Sequence, residues 1–207
     1  LDKPGVEYLA FCSYFDPSKG PKSIKLIGHQ RILRDAWDNA LKAGLRSIQG
    51  KVVGMEDYFD VKPLSDNSSF YWEDIQFSIV QSVHIMDGYS IVPSYGLMIK
   101  DTNNDKKVYI TSDSQFNPNQ IKDFYDQADI IIQDCETAPF QSGVHAHYTE
   151  LATLSDNIRS KMILIHYQDN IINEWDSSQK KAKGDGFIGF AKPGIDVLTQ
   201  TTDSEIK

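Results

Sequence analysis

Four apolar runs in this chain stop at a residue that can bind a metal ion: Ile79–Val83 leads to His84, Val108–Ser112 to Asp113, Ile130–Gln133 to Asp134, and Met162–Ile165 to His166. Histidine and aspartate are donors that zinc, manganese or iron accept. An ionised carboxylate at the end of a buried strand is costly unless it is paired, hydrogen-bonded or ligating. Read singly, each of these residues is an ordinary turn or capping residue; their recurrence at successive strand ends points to a shared site. Between the last two ends, His145 and His147 stand two apart in a glycine-containing loop that precedes a helical stretch. Either imidazole could ligate, or one could serve as a general acid whose ring is oriented by a nearby carboxylate. As spacing alone the pair is weak, because His-x-His also occurs on plain strands. His29 has no partner spacing around it and reads as structural or surface.

Positioning such groups requires strands that end in loops, and the apolar pattern predicts them. Residues 31–43 carry Ile32, Leu33, Ala36, Trp37, Ala40 and Leu41 at helical spacing, with Gly44 at the stop. Phe70–Val83 alternates apolar and polar residues, and Tyr95–Ile99 follows after turn-prone Asp87-Gly88 and Pro93, which predicts a pair of strands. Asn117-Pro118 opens a second helix through Ile121, Phe124, Tyr125 and Ala128, with Asn as cap and Pro in the first turn. Ile130–Ile132 and Met162–Ile165, separated by a helical stretch after Thr149, read as buried strands covered by helices. The polar stretch 176–186 reads as a solvated connection, with a lid or dimer contact as the sharper alternative. The expected organisation is one α/β domain over 1–207.

Composition sets outer limits. The 207 residues are 40% hydrophobic and carry 29 acidic against 21 basic side chains, a net charge of −8. That balance is opposite to what gripping many phosphates of a long nucleic acid requires. A small anionic substrate stays compatible, because a divalent ion reverses the local field. No run of about 18 apolar residues suggests a membrane span, and the first residues lack a signal-peptide layout. Cys12 and Cys135 are too few for a disulfide framework and read as buried free thiols in a reducing compartment, so a cytoplasmic location is expected.

The order of these motifs resembles the metallo-β-lactamase fold: His84, then Ser94–Leu97, Tyr109–Asp113, Ala128–Thr137, His147–Thr149 and Leu164–His166. It is most similar to the ribonuclease Z-like phosphodiesterases, a group that includes tRNA 3′-processing nucleases, PhnP-type cyclic phosphodiesterases and phage anti-Pycsar enzymes that open cyclic mononucleotides. The resemblance runs from about Phe70 to Phe190 and implies an αββα sandwich and two divalent ions, zinc first and manganese or iron as alternatives. It implies His84, Asp113 and His166 as metal ligands, with Asp113 bridging, and Asp134 and His147 as the supporting acid and catalytic histidine. His145 is then a supporting residue or a substrate contact, and Tyr148 a substrate contact. The implied activity is metal-dependent hydrolysis of a cyclic nucleotide or another small phosphodiester, by a homodimer acting in a host cytoplasm if the protein is viral. A catalytically inactive nucleotide-binding member, an RNA-processing nuclease and a thioester or lactone hydrolase are the alternatives; the tRNA-gripping arm has no counterpart here. Tyr89, Tyr95, Tyr148, Tyr167 and Trp175 are candidates to stack a base, against the commoner role of aromatics in a core.

One departure is marked. The HxHxDH motif that defines the family is absent, although Gly5–Phe11 resembles the stretch that normally follows it, with Asp2 as a conceivable remnant. The expectation is that the chain begins part-way through a longer protein, with the first strands and HxHxDH upstream; a degraded copy of the fold is the alternative.

Overall fold

The computed structural model describes residues 4–18, 22–192 and 194; Asp2 lies outside them. The chain divides into two compact units, Leu1–Ser68 and Ser69–Lys207. In the first, helix α1 (Pro4–Phe15) covers the Gly5–Phe11 stretch. Strand β1 (Lys25–His29) leads into a continuous helical segment formed by α2 (Gln30–Ala36), a π-type turn over Trp37–Leu41, and α3 (Lys42–Leu45). The helix expected over 31–43 is thus present and slightly longer. The short pair β2 (Ser47–Ile48) and β3 (Lys51–Val52), helix α4 (Met55–Tyr58) and strand β4 (Asp60–Leu64) follow, with β4 parallel to β1. Leu45, Tyr58 and Phe59 are the buried centre of this unit, with Phe11 and Tyr14 packed against it. His29 is buried, accepts the Arg31 N–H as a helix cap, and bonds Asp66 at 3.0 Å, which is a structural role.

The second unit holds a seven-stranded sheet. The alternating run 70–83 is two strands, not one, because Glu73 takes a left-handed turn (φ 51°). These are β5 (Ser69–Trp72) and β6 (Ile75–Asp87), followed by β7 (Ser90–Asp101) and β8 (Lys107–Ile110), all consecutive and antiparallel. Helix α5 (Pro118–Gln127) then crosses to β9 (Ile130–Asp134), which is parallel to β8. Asn117 does not cap α5 with its side chain; its amide bonds Gln120 instead. Short helices α6 (Tyr148–Leu151) and α7 (Asp156–Arg159) lead to β10 (Met162–Ile165), parallel to β9. Helices α8 (Asp169–Asn173) and α9 (Trp175–Gly184) precede edge strand β11 (Gly189–Phe190). A connection expected over 176–186 is therefore mostly helix. Its polar sequence hid the pattern, because the inward side of Trp175, Ser178, Gln179 and Ala182 is half polar, and Gln179 uses its amide on both backbone groups of Phe190, terminating the sheet edge.

Burial explains why the parallel half is so regular. Met162, Ile163 and Leu164 are completely buried, as is Ile131, which is what a strand covered on both faces demands. Gly96 on β7 is required by a close approach: a Cβ there would lie 2.5 Å from the Ile110 carbonyl oxygen, in the exit of β8 toward Asp113. Cys135 is buried as expected, whereas Cys12 is exposed, lying on α1 without the covering the sequence suggested. Among the described residues, no helix is long and apolar enough to cross a membrane.

Candidate metal centre

At the ends of the parallel strands, Asp113, Asp134, His145 and His166 converge, with one ligand atom from each lying within 4.8 Å of all the others. Open parallel sheets place their sites at these carboxyl ends. Asp134, the last residue of β9, is 1% exposed and organises the group. Its Oδ2 accepts the Ser114 N–H at 2.9 Å and His145 Nδ1 at 2.7 Å, and its Oδ1 accepts His166 Nδ1 at 2.9 Å. Its own N–H donates to the buried Thr111 hydroxyl at 2.9 Å. An ionised carboxylate only accepts, so each imidazole donates its Nδ1–H to Asp134, which in the neutral ring leaves Nε2 as the basic nitrogen. A carboxylate fixing the outer nitrogen of a histidine is the usual support behind a metal-ligating imidazole.

The backbone at these turns is bent to aim the side chains. Ser112 (φ 57°) and His166 (φ 63°) are left-handed non-glycine residues, the first directly before Asp113 and the second a member of the cluster. Such conformations cost of the order of 1–3 kcal/mol and persist where the surroundings fix them. The loop carrying His145 is pinned by the Ala146 N–H to the Ser114 carbonyl and by the Glu136 N–H to the Ala146 carbonyl. His84 arrives differently. The β6–β7 pairing passes from Val83↔Pro93 to Ile85↔Val92, so His84 is the extra residue of a bulge, a device that redirects one side chain. Its ring centroid is 5.8 Å from that of His145, which is itself 4.6 Å from that of His166. Among the described residues, the buried His84 Nδ1 has no hydrogen-bond partner.

The residues present suit a divalent ion: two imidazoles oriented by one carboxylate, a second carboxylate beside them, and a further imidazole whose buried Nδ1 has no partner among the described residues. The structure thus brings together His84, Asp113, Asp134, His145 and His166. It turns His147 elsewhere. His147 caps α6: its Nδ1 accepts the Thr149 N–H at 3.3 Å and meets the Thr149 hydroxyl at 2.8 Å, and its Nε2 donates to the Ala138 carbonyl at 2.9 Å. Both ring nitrogens are occupied. The Tyr148 hydroxyl donates to Asp185 at 2.7 Å, and burial followed by that bond pushes the phenol upward. His147 and Tyr148 border a mainly apolar cavity of about 290 Å³ that Phe190, Ile171 and Lys181 also line. Of the base-stacking candidates, Tyr148, Tyr167 and Trp175 pack against the core, while Tyr89 is fully exposed at the β6–β7 turn. Nothing in residue type or spacing marks Ser114 and Thr111 as the groups that hold Asp134, since one acts through its backbone N–H and the other through a hydroxyl just past the end of β8.

These features have counterparts among known proteins. The family model described as anti-Pycsar protein Apyc1 matches residues 4–195. The anti-Pycsar protein Apyc1 of Bacillus phage vB_BsuM-Goe3 is 26% identical over 176 residues, covering 81% of this chain and 64% of its own length. That of Paenibacillus xerothermodurans is 27% identical over 170 residues, with 81% and 63% covered. The chain therefore spans less than two thirds of the length of these curated relatives. The metallo-β-lactamase fold protein YhfI from Bacillus subtilis superposes with a TM-score of 0.54 at 19% identity, over 83% of this chain and 63% of that one. A diphosphatase from the PhnP family superposes with a TM-score of 0.62 at 14% identity, over 92% and 64%. At such identities the likeness shows the fold, and the fold is the metallo-β-lactamase α/β fold. By the extent of the family match, the chain belongs to the anti-Pycsar protein Apyc1 family.

Proposed function

We propose that this protein is a metal-dependent phosphodiesterase that opens a small cyclic phosphodiester, a cyclic mononucleotide in the first instance, and so removes a defence signal. The observation that carries the reading is the convergence of Asp113, Asp134, His145 and His166 within 4.8 Å at the strand ends. The name of its relatives supports the substrate class, and the net charge of −8 disfavours a long polyanion. Asp113 and His166 would hold a divalent ion, with His84 completing the donor set. When bound, such an ion supplies Lewis acidity toward a phosphate oxygen and an activated water. Zinc suits imidazole and carboxylate donors best, with manganese and iron as alternatives and two ions as the full complement. Homodimerisation and action in a host cytoplasm belong to the same reading and rest on the resemblance.

The chain's own contribution is orientation and proton transfer. Asp134 holds the rings of His145 and His166 by Nδ1, so neither can rotate away from the site. An imidazolium formed at His145 is stabilised by the same carboxylate, so His145 can hold a proton at Nε2 and deliver it to the leaving oxygen. We assign this role to His145 and a supporting one to His147, whose nitrogens are both committed to the cap of α6.

The test is hydrolysis of cyclic AMP and cyclic UMP by the intact protein, before and after chelation, with an Asp113→Asn variant. Metal-restored turnover that the variant lacks supports the reading; chelator-resistant turnover overturns it. The alternative reading is a binding protein that retains the nucleotide without cleaving it. That reading predicts binding without products and no response to Asp113→Asn.

A further inference from the structure

We propose that Gln115 is a positioning residue: its side-chain amide holds the His145 loop by the Gly143 carbonyl and so sets where His145 delivers its proton. This rests on the phosphodiesterase reading above and on the role assigned there to His145.

The connection between β9 and α6, residues 135–147, is long for a loop without regular structure, so its position depends on the bonds made across it. Its base is closed by the Glu136 N–H to the Ala146 carbonyl and by the Tyr148 N–H to the Glu136 carbonyl. Its tip is shaped from within. The buried Glu136 carboxylate accepts the Ser142 N–H at 2.9 Å, and the Ser142 hydroxyl accepts the Val144 N–H at 3.1 Å. Gly143 makes the turn between them at φ 74°, a conformation that glycine adopts without steric cost.

The two residues after Asp113 tie this loop to the strand ends. Ser114 donates its N–H to Asp134 Oδ2 at 2.9 Å and accepts the Ala146 N–H on its carbonyl at 2.9 Å. Gln115, half-buried, donates its own N–H at 2.9 Å to the carbonyl of Val83, the residue before His84. Its side-chain amide donates to the Gly143 carbonyl at 2.6 Å. A carbonyl only accepts, so the group facing Gly143 is the amide NH2. His145 is thus bracketed, with Ala146 held by Ser114 on one side and Gly143 held by Gln115 on the other. On the side of Ser114 and Gln115, every one of these bonds but the last uses a main-chain group, which any residue supplies. Only the bond to Gly143 depends on the identity of the residue at 115.

Proton transfer to a leaving oxygen is steep in geometry, and a displacement of about 1 Å can cost on the order of 100-fold. Without the Gln115 amide, Asp134 still bonds the His145 ring and Ser114 still bonds Ala146. The ring stays in the site, but its approach is no longer fixed from the Gly143 side. Asp113, His166 and His84 keep their own supports, because the backbone bond to Val83 and the bond of His166 to Asp134 do not involve the side chain at 115. The effect is therefore confined to the step that needs the proton of His145. A leaving group that departs unprotonated does not feel it.

The experiment compares the intact protein with Gln115→Ala and with Gln115→Met, which keeps the length of the side chain and removes the donor. In metal-free protein, hydrogen exchange followed by NMR should be at least about fivefold faster at the Val144 and Ala146 amides in both variants, and unchanged along β9 and β10. With zinc supplied, kcat on cyclic AMP and cyclic UMP should fall at least about tenfold, with KM and zinc affinity within about threefold of wild type. On bis(p-nitrophenyl) phosphate, whose leaving group departs as a stable anion, kcat should stay within about threefold. In a His145→Ala background, Gln115→Ala should add less than about twofold, since both act through one group. Wild-type exchange rates at Val144 and Ala146, equal losses on the two classes of substrate, wild-type behaviour of Gln115→Met, or a full further loss in the His145→Ala background would each overturn the assignment. A wild type that cleaves neither class of substrate counts against the phosphodiesterase reading, and the exchange rates of the metal-free proteins then judge the Gln115 brace alone.

Discussion

The two halves of the seven-stranded sheet are built on different terms. The parallel half, β8 to β11, has strands of two to five residues, with β10 and β11 almost wholly buried, and three of these strands lead to Asp113, Asp134 and His166 within three residues of their ends. In the antiparallel half, β6 and β7 run for 13 and 12 residues, pair mostly with each other, and leave Met86, Tyr89 and Ile91 exposed near their turn. Short buried strands fix their ends to within a residue, because a slip would expose the whole apolar set. A long ribbon has no such constraint, and it aims its one candidate ligand, His84, with a bulge instead. Precision at a strand end thus comes from burial in one half and from a local irregularity in the other.

The sharpest way to break this comparison is Asp134→Ala. It leaves the Ser114 N–H, the largely buried His145 Nδ1 and the half-exposed His166 Nδ1 without an acceptor. We expect turnover to vanish and stability to fall by about 3–5 kcal/mol, the scale of breaking a buried charged network. Denaturant titration checks the second figure, and a loss under about 1 kcal/mol would show that the hub is dispensable. Next in size, Leu164→Ala in the parallel half should cost about 2–5 kcal/mol, whereas Met86→Ala on the ribbon should stay within about 0.5 kcal/mol. Comparable losses would erase the distinction between the halves.

The two neighbouring histidines give a finer test. His145→Ala should reduce kcat by about 100- to 10,000-fold with the fold intact. His147→Ala should cost about 0.5–2 kcal/mol through the lost cap, and His147→Asn, which can still cap, should restore most of it. A kcat loss for His147→Asn as large as for His145→Ala would reverse the assignment. The smallest effect concerns Asp185, whose carboxyl is held below the usual range first by Lys181 and then by the Tyr148 hydroxyl. A depressed folded-state pKa adds stability above the unfolded value near 4, and that stability is lost as pH falls through the folded one. Asp185→Asn should therefore lose less than about 1 kcal/mol at pH 7, allowing for solvent screening, and the difference should close below about pH 4 in stability measurements.

How much was visible in the residues follows the same division. Strands β9 and β10 were legible as uninterrupted apolar runs, because burial on both faces writes itself into composition. The split of 70–83 was not, since Glu73 gives no compositional sign of a left-handed turn. Helix α9 was hidden because its inward side is half polar, with Gln179 bonded to backbone. At the site, residue types and strand ends named the members. Which of His145 and His147 faces Asp134 was beyond spacing: it depends on the backbone bonds of Ala146 to Ser114 and Glu136, contacts between segments far apart in sequence.

The most direct test is calorimetric titration of chelator-treated intact protein with zinc, alongside Asp113→Ala. Convergence of Asp113 and His166 around Asp134, with His84 beside them, predicts tight, saturable binding in the wild type and at least a hundredfold weaker binding in the variant, with both proteins folded. A wild type that binds no zinc, or a variant that binds it as tightly, would show that these strand ends do not form a metal centre.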